Sequence, residues 1–124
     1  MIMTEEQKNL LMRDLCARLP YGVKISVEAR VETLESVDMN DYVVGYSSWL
    51  SSGVEDVKPY LLPLSSMTEE QKEEHKDLLD NQYLSFDANG NLFTLQDFYC
   101  KYHLDYRGFI PDGLAEDATG KNIY

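Results

Sequence analysis

The chain has 124 residues, 44% of them apolar and 27% charged, with 22 acids against 11 bases and a formal net charge of −11. That length predicts a single domain, residues 1–124, with one modest core, and the composition is not that of a disordered segment. Such acidity argues against direct nucleic-acid or membrane-surface binding, and no apolar run approaches the roughly 20 residues of a membrane span.

The N-terminal stretch, Met1 to Glu6, lacks the basic and apolar regions of a signal peptide, so a cytoplasmic protein is expected. Thr4-Glu5-Glu6-Gln7 is a capping box. Leu10, Leu11, Leu15 and Leu19 then keep helical spacing up to Pro20 and predict an amphipathic first helix. Arg13 and Arg18 fall near its C-terminal end, where cations suit the helix dipole. Cys16 and Cys100 both sit in helical patterns and are expected as reduced, at least partly buried thiols.

Alternation begins at Val23, Ile25 and Val27, the pattern of a half-buried strand. Residues 31–37 alternate without a clean face, which points to an edge or a bulge. Tyr42 to Tyr46 is β-branched and aromatic, followed by Trp49-Leu50 and a Ser51-Ser52-Gly53 turn. Val54, Val57, Tyr60 and Leu62, interrupted by Pro59 and Pro63, predict an irregular edge strand. Four such strands suggest a small, mainly antiparallel sheet, open as a meander or partly closed in an SH3-like barrel.

Residues 67–72 repeat residues 3–8 letter for letter, Met-Thr-Glu-Glu-Gln-Lys, and open a second, strongly acidic helix to about Asp80. Nothing beyond the six letters matches, so convergence on capping chemistry is preferred to duplication. Being apolar only at Met67, Leu78 and Leu79, this helix is expected on the surface. Asn89-Gly90 predicts a hairpin over residues 83–94. Thr94-Leu95-Gln96-Asp97 then caps a short helix with Leu95, Phe98, Tyr99 and Tyr102 in helical spacing, followed by an ordered tail. The fold class is therefore α+β.

Several blocks, taken together, resemble a known family. They are Leu19-Pro20-Tyr21-Gly22-Val23-Lys24, Val57-Lys58-Pro59-Tyr60-Leu61 running into Ser65-Ser66-Met67-Thr68-Glu69-Glu70, His103-Leu104-Asp105-Tyr106-Arg107-Gly108, and Gly113-Leu114-Ala115 with Asn122-Ile123-Tyr124. The family comprises small uncharacterised proteins of gut bacteria, often encoded in prophage-like or other mobile regions. The resemblance covers most of the chain, least well between Glu28 and Ser52. It implies a cytoplasmic mobile-element protein and supplies no activity, cofactor or catalytic residue.

Each candidate for chemistry lacks a named part. Asp87-x-Asn89-Gly90-Asn91 resembles the start of a calcium loop, but Phe98 stands where the bidentate Glu belongs. Cys100 and His103 lie three apart on one helix face, and His75 and Cys16 would have to complete a metal site from elsewhere. As a nucleophilic pair, Cys100 and His103 lack an orienting carboxylate and an oxyanion hole. Arg107 can bind a partner's anion with Tyr106 or pair internally with Asp105 or Asp112, while Gly108 is placed to end the helix. No catalytic, cofactor-binding or metal residue is assigned.

The functional expectation is a non-catalytic protein-binding or accessory module of a prophage or mobile element, whose partner is another protein or a second copy of the chain. Its candidate partner-binding residues are Tyr42, Tyr46, Trp49, Tyr60, Tyr106 and Arg107, since Tyr, Trp and Arg dominate binding hot spots. Two alternatives stand beside it. One is an acidic DNA mimic that inhibits a nucleic-acid-binding enzyme through Glu70, Glu73 and Glu74, and the other is a small Cys/His-dependent enzyme or metal site.

Overall fold

The computed structural model describes residues 3–47, 50–82, 84–86 and 89–124. It is α+β. Helix α1 (Glu5–Arg18) is followed by strands β1 (Lys24–Val27), β2 (Arg30–Asp38), β3 (Val43–Tyr46), β4 (Leu50–Gly53) and β5 (Val57–Leu61). Helix α2 (Glu69–Asp80), strands β6 (Leu84–Phe86) and β7 (Leu92–Thr94), helix α3 (Leu95–Lys101) and strand β8 (Glu116–Asp117) complete the order.

All three helices start on the capping boxes that the sequence announces. Thr4 with Gln7, Thr68 with Gln71 and Thr94 with Asp97 each exchange side-chain and backbone hydrogen bonds. The repeated hexapeptide gives the same cap twice, with both bonds at 3.0 and 3.1 Å in each copy. The two helices then diverge. In α1, Leu11, Met12 and Leu15 are buried, whereas in α2 the only buried residue is Leu78. The apolar stripe of α1 thus runs through Met12, and Leu10 is exposed.

The main sheet is open and six-stranded, in the order β4-β3-β2-β1-β5-β8, antiparallel except for the β5–β8 pair. Ile25 and Val27 of β1 are buried while Lys24 and Ser26 are not, as their alternation requires. Between Leu34 and Ser36 the β2–β3 register shifts, so the uneven alternation of residues 31–37 does mark a bulge. Two expectations need correction. Residues Ser51–Gly53 are not a turn but strand β4, paired with β3; cross-strand bonding outweighs the weak strand preference of Ser and Gly. The Pro59 strand is not an edge, since β5 lies between β1 and β8. Proline is tolerated there because the β8 ladder begins only at Tyr60.

Two apolar clusters hold these elements. In the first, Leu11, Met12 and Leu15 of α1 pack with Val23, Ile25, Val27, Leu34, Val44, Val57 and Leu61 of the sheet region, and with Phe109 and Leu114 from the chain after α3. The second gathers Leu78, Phe98 and Leu104, flanked by Met67, Phe93, Tyr99 and Tyr102, beneath α2 and the β6–β7 hairpin. No helix among the described residues is long and apolar enough to cross a membrane.

Candidate functional site

The candidate partner-binding residues that the structure describes do not share one surface. Tyr46 and Tyr60 are buried, and the Tyr46 hydroxyl bonds to Ser52 Oγ at 2.7 Å. Tyr42 packs on the main core and donates its hydroxyl proton to Asn9 Oδ1 at 2.9 Å. Trp49 lies outside the described residues. Tyr46 and Tyr60 therefore belong to the interior and do not form an open aromatic face on the sheet. Tyr46 falls on the core side of β3 with Val44, whereas Tyr60 lies on the face of β5 opposite to the core residues Val57 and Leu61 and is buried there all the same.

Tyr106 and Arg107 belong to a different assembly, built on α1. Asp14 and Arg18 are one helical turn apart, on the stripe that carries Leu11 and Leu15, and neither side chain is exposed. Arg18 Nε donates to Asp14 Oδ2 at 2.7 Å, and Arg18 Nη2 donates to the Leu104 carbonyl at 2.7 Å. Asp14 Oδ1 accepts from Arg107 Nε at 2.9 Å. Both guanidinium groups stand over the Tyr106 ring, at 5.5 and 4.8 Å, and that ring stacks on Tyr99 at 4.7 Å. Arg107 thus pairs with Asp14, neither with Asp105 nor with Asp112. Asp105 instead accepts the backbone N–H groups of Phe109 and Ile110 and holds the following loop. The arrangement ties α1 to the segment after α3 with charge-assisted bonds, the strong kind in a low-dielectric interior. The sequence signal for it was Asp14 and Arg18 at i and i+4 on the apolar face.

Cys100 and His103 do not form an activated pair. Cys100 is buried, and burial pushes its thiol up to about 11, with Asp14 adding to the shift and Arg18 opposing it. That is the opposite of nucleophile activation. His103 occupies the left-handed region at φ 57°, stacks on Tyr124 with ring centroids 3.6 Å apart, and is lowered to about 4, first by burial and then by Arg18 and Lys24. His103 also ends helix α3, its N–H reaching the Cys100 carbonyl while Leu104 N–H reaches that of Tyr99. The role expected of Gly108 therefore falls to His103, five residues earlier. Cys16, by contrast, is exposed. Among the described residues, no three His, Cys, Asp or Glu side chains converge as a metal site.

A further open face is made by α2 and the hairpin. Helix α2 lies on the second cluster through Leu78, and polar contacts add to that anchor at mid-helix. Tyr102 donates to Glu74 Oε2 at 2.7 Å, and His75 Nε2 bonds the Tyr99 hydroxyl at 2.9 Å while stacking on Phe98. The apolar pattern that predicts a surface helix does not reveal these mid-helix contacts, because they come from Glu and His rather than from apolar residues. In the hairpin, Phe86 pairs directly with Leu92, and the two are 70% and 55% exposed. Phe93, next along the strand, points the other way into the second cluster. A 140 Å³ cleft opens beside it, lined by Glu74, Asp77, Leu78, Asn81 and Phe93. No family model, curated protein or solved structure matches the chain.

Proposed function

We propose that the chain is a non-catalytic protein-binding module whose docking face is the outer side of the β6–β7 hairpin. The observation that carries this reading is the Phe86–Leu92 cross-strand pair, two large apolar side chains left to solvent side by side. Burying such a pair yields roughly 25 cal/mol per Å² of apolar surface, and clustered exposed apolar groups are the usual mark of an interaction site. An accessory role in a mobile element is supported by the resemblance of the Pro20, Pro59 and His103 blocks to such proteins. A cytoplasmic setting is supported by the two free cysteines.

The test is affinity capture from a lysate of the encoding organism, with the wild-type chain and the Phe86→Ser/Leu92→Ser variant as paired baits at low and moderate salt. A protein retained by the wild type at both salts and lost from a correctly folded variant supports the proposal. Identical capture by both baits defeats it. Capture of a cationic nucleic-acid-binding enzyme that vanishes with salt and ignores the hairpin change points instead to DNA mimicry.

A further inference from the structure

We infer that the partner presents a basic, apolar-flanked segment, and that one of its lysine or arginine side chains enters the cleft between α2 and β7. This rests on the docking role proposed for the hairpin and adds the chemistry of what docks there.

The cleft has the size and lining for one cationic side chain. At 140 Å³ it falls below the roughly 300–1,000 Å³ of pockets that enclose small ligands. Its lining residues include two acids, Glu74 and Asp77, beside the aromatic Phe93 and the aliphatic Leu78. Tyr102 holds Glu74 in place through its 2.7 Å hydrogen bond, so that carboxylate is oriented before any partner arrives. Asn81 is fixed likewise, its amide donating to the Asp77 carbonyl at 2.8 Å. The Phe93 face already attracts an ammonium, that of Lys101, which stands 5.7 Å from the ring centroid.

The two anchors lie on opposite sides of a thin ribbon, since Leu92 faces outward and Phe93 inward. A partner lying on Phe86 and Leu92 must therefore reach around one strand to enter the cleft. Only a long side chain with an apolar stem and a charged head does that, which describes lysine and arginine. The rest of α2 favours the same choice. Its Glu69, Glu70, Glu73, Glu74, Asp77 and Asp80 are relieved only by Lys72 and Lys76. A second copy of this chain would bring the same acidic helix and a charge of −11 to the contact, so like-charge repulsion disfavours it as occupant.

Three labelled peptides of equal length serve as probes: alternating lysine and leucine, alternating glutamate and leucine, and lysine alone. Fluorescence anisotropy measures affinity, and amide chemical shifts map the contact. The lysine–leucine peptide should bind best and shift Asn81, Phe86, Leu92 and Phe93. Glu74→Gln/Asp77→Asn should weaken it by about tenfold or more, whereas Glu70→Gln/Glu73→Gln removes the same charge from elsewhere on the helix and should cost less than about twofold. Gln at 74 keeps an acceptor for Tyr102, and unchanged thermal midpoints verify the fold. Equal weakening by the two pairs overturns the inference, as does equal binding of the all-lysine peptide or no binding of the lysine–leucine one. If the glutamate–leucine peptide binds as well and is lost with Phe86→Ser/Leu92→Ser, the hairpin docks partners but not basic ones; the inference then fails while the docking role stands.

Discussion

Asp14 and Arg18 form an ion pair one helical turn apart with neither side chain exposed, and the second oxygen of Asp14 takes Arg107 from the far side of the sequence. One carboxylate therefore compensates two guanidinium groups, one of them fully buried. Removing one partner of a buried pair leaves an uncompensated charge, a loss of about 3–5 kcal/mol. Asp14→Asn should reduce unfolding free energy by that amount in urea titrations. Replacing both members, Asp14→Leu with Arg18→Met, should cost less than Asp14→Asn alone, because the fully buried charge is removed and only the partly exposed Arg107 loses its partner. A loss below about 1 kcal/mol for Asp14→Asn would show that water reaches the pair.

The two thiols should differ sharply in reactivity. Cys16 is exposed, while Cys100 is buried and raised to about 11. At pH 8 the Cys100 thiolate is then roughly a thousandth of the population, and its sulfur is shielded as well. Ellman's reagent should titrate one equivalent quickly in the native protein and the second only in denaturant. Cys16→Ser should abolish the fast phase. A fast second equivalent in the folded protein would contradict the burial of Cys100.

Strands β2 and β3 approach closely at Gly45, where a Cβ would meet the hydroxyl of the exposed Ser36. A Cβ there would stand 2.2 Å from Ser36 Oγ but 3.5 Å from Ser36 Cβ. Gly45→Ala forces the Ser36 hydroxyl out of its rotamer and should cost about 0.5–1.5 kcal/mol. Ser36→Ala removes the clashing oxygen, so the double variant should recover most of that loss in a thermal or urea double-mutant cycle. Additive losses would mean that the strain lies in the backbone.

The capping boxes, the alternation of β1 and the bulge in β2 were legible because each rests on neighbours within a few residues. Strand β4 was not, since Leu-Ser-Ser-Gly has little strand preference and is held by pairing with β3. The β1–β2 turn was hidden for a similar reason. Glu28 and Ala29 both take positive φ, at 50° and 64°, without the Asn or Gly that usually marks such a turn. Of the candidate site, the acidity of α2 and the Asn89-Gly90 hairpin signal could be read directly. The exposed pairing of Phe86 with Leu92 could not, because register depends on where the strands meet rather than on either strand alone.

His103 gives the protein a specific acid sensitivity. Its ring is lowered from the ordinary 6.5 to about 4, chiefly by burial, while it stacks on Tyr124. The Tyr124 hydroxyl in turn accepts from Lys24 N–H at 2.8 Å and donates to the Tyr60 carbonyl at 2.7 Å, so the stack helps fasten the chain's last residues to β1 and β5. Between pH 4 and 6.5 the unfolded chain binds a proton at this histidine that the folded chain does not. The contribution is therefore complete above pH 6.5, shrinks as pH falls, and is gone once pH passes below about 4. Allowing for the ring's partial exposure, the change is on the order of 2 kcal/mol. His103→Asn keeps a residue that tolerates the left-handed conformation but removes the titration. Its unfolding free energy should vary less across this window than that of the wild type, with the carboxylates common to both cancelling. A proton titration that followed the His103 ring to a midpoint near 6.5 would place it in solvent and refute this account.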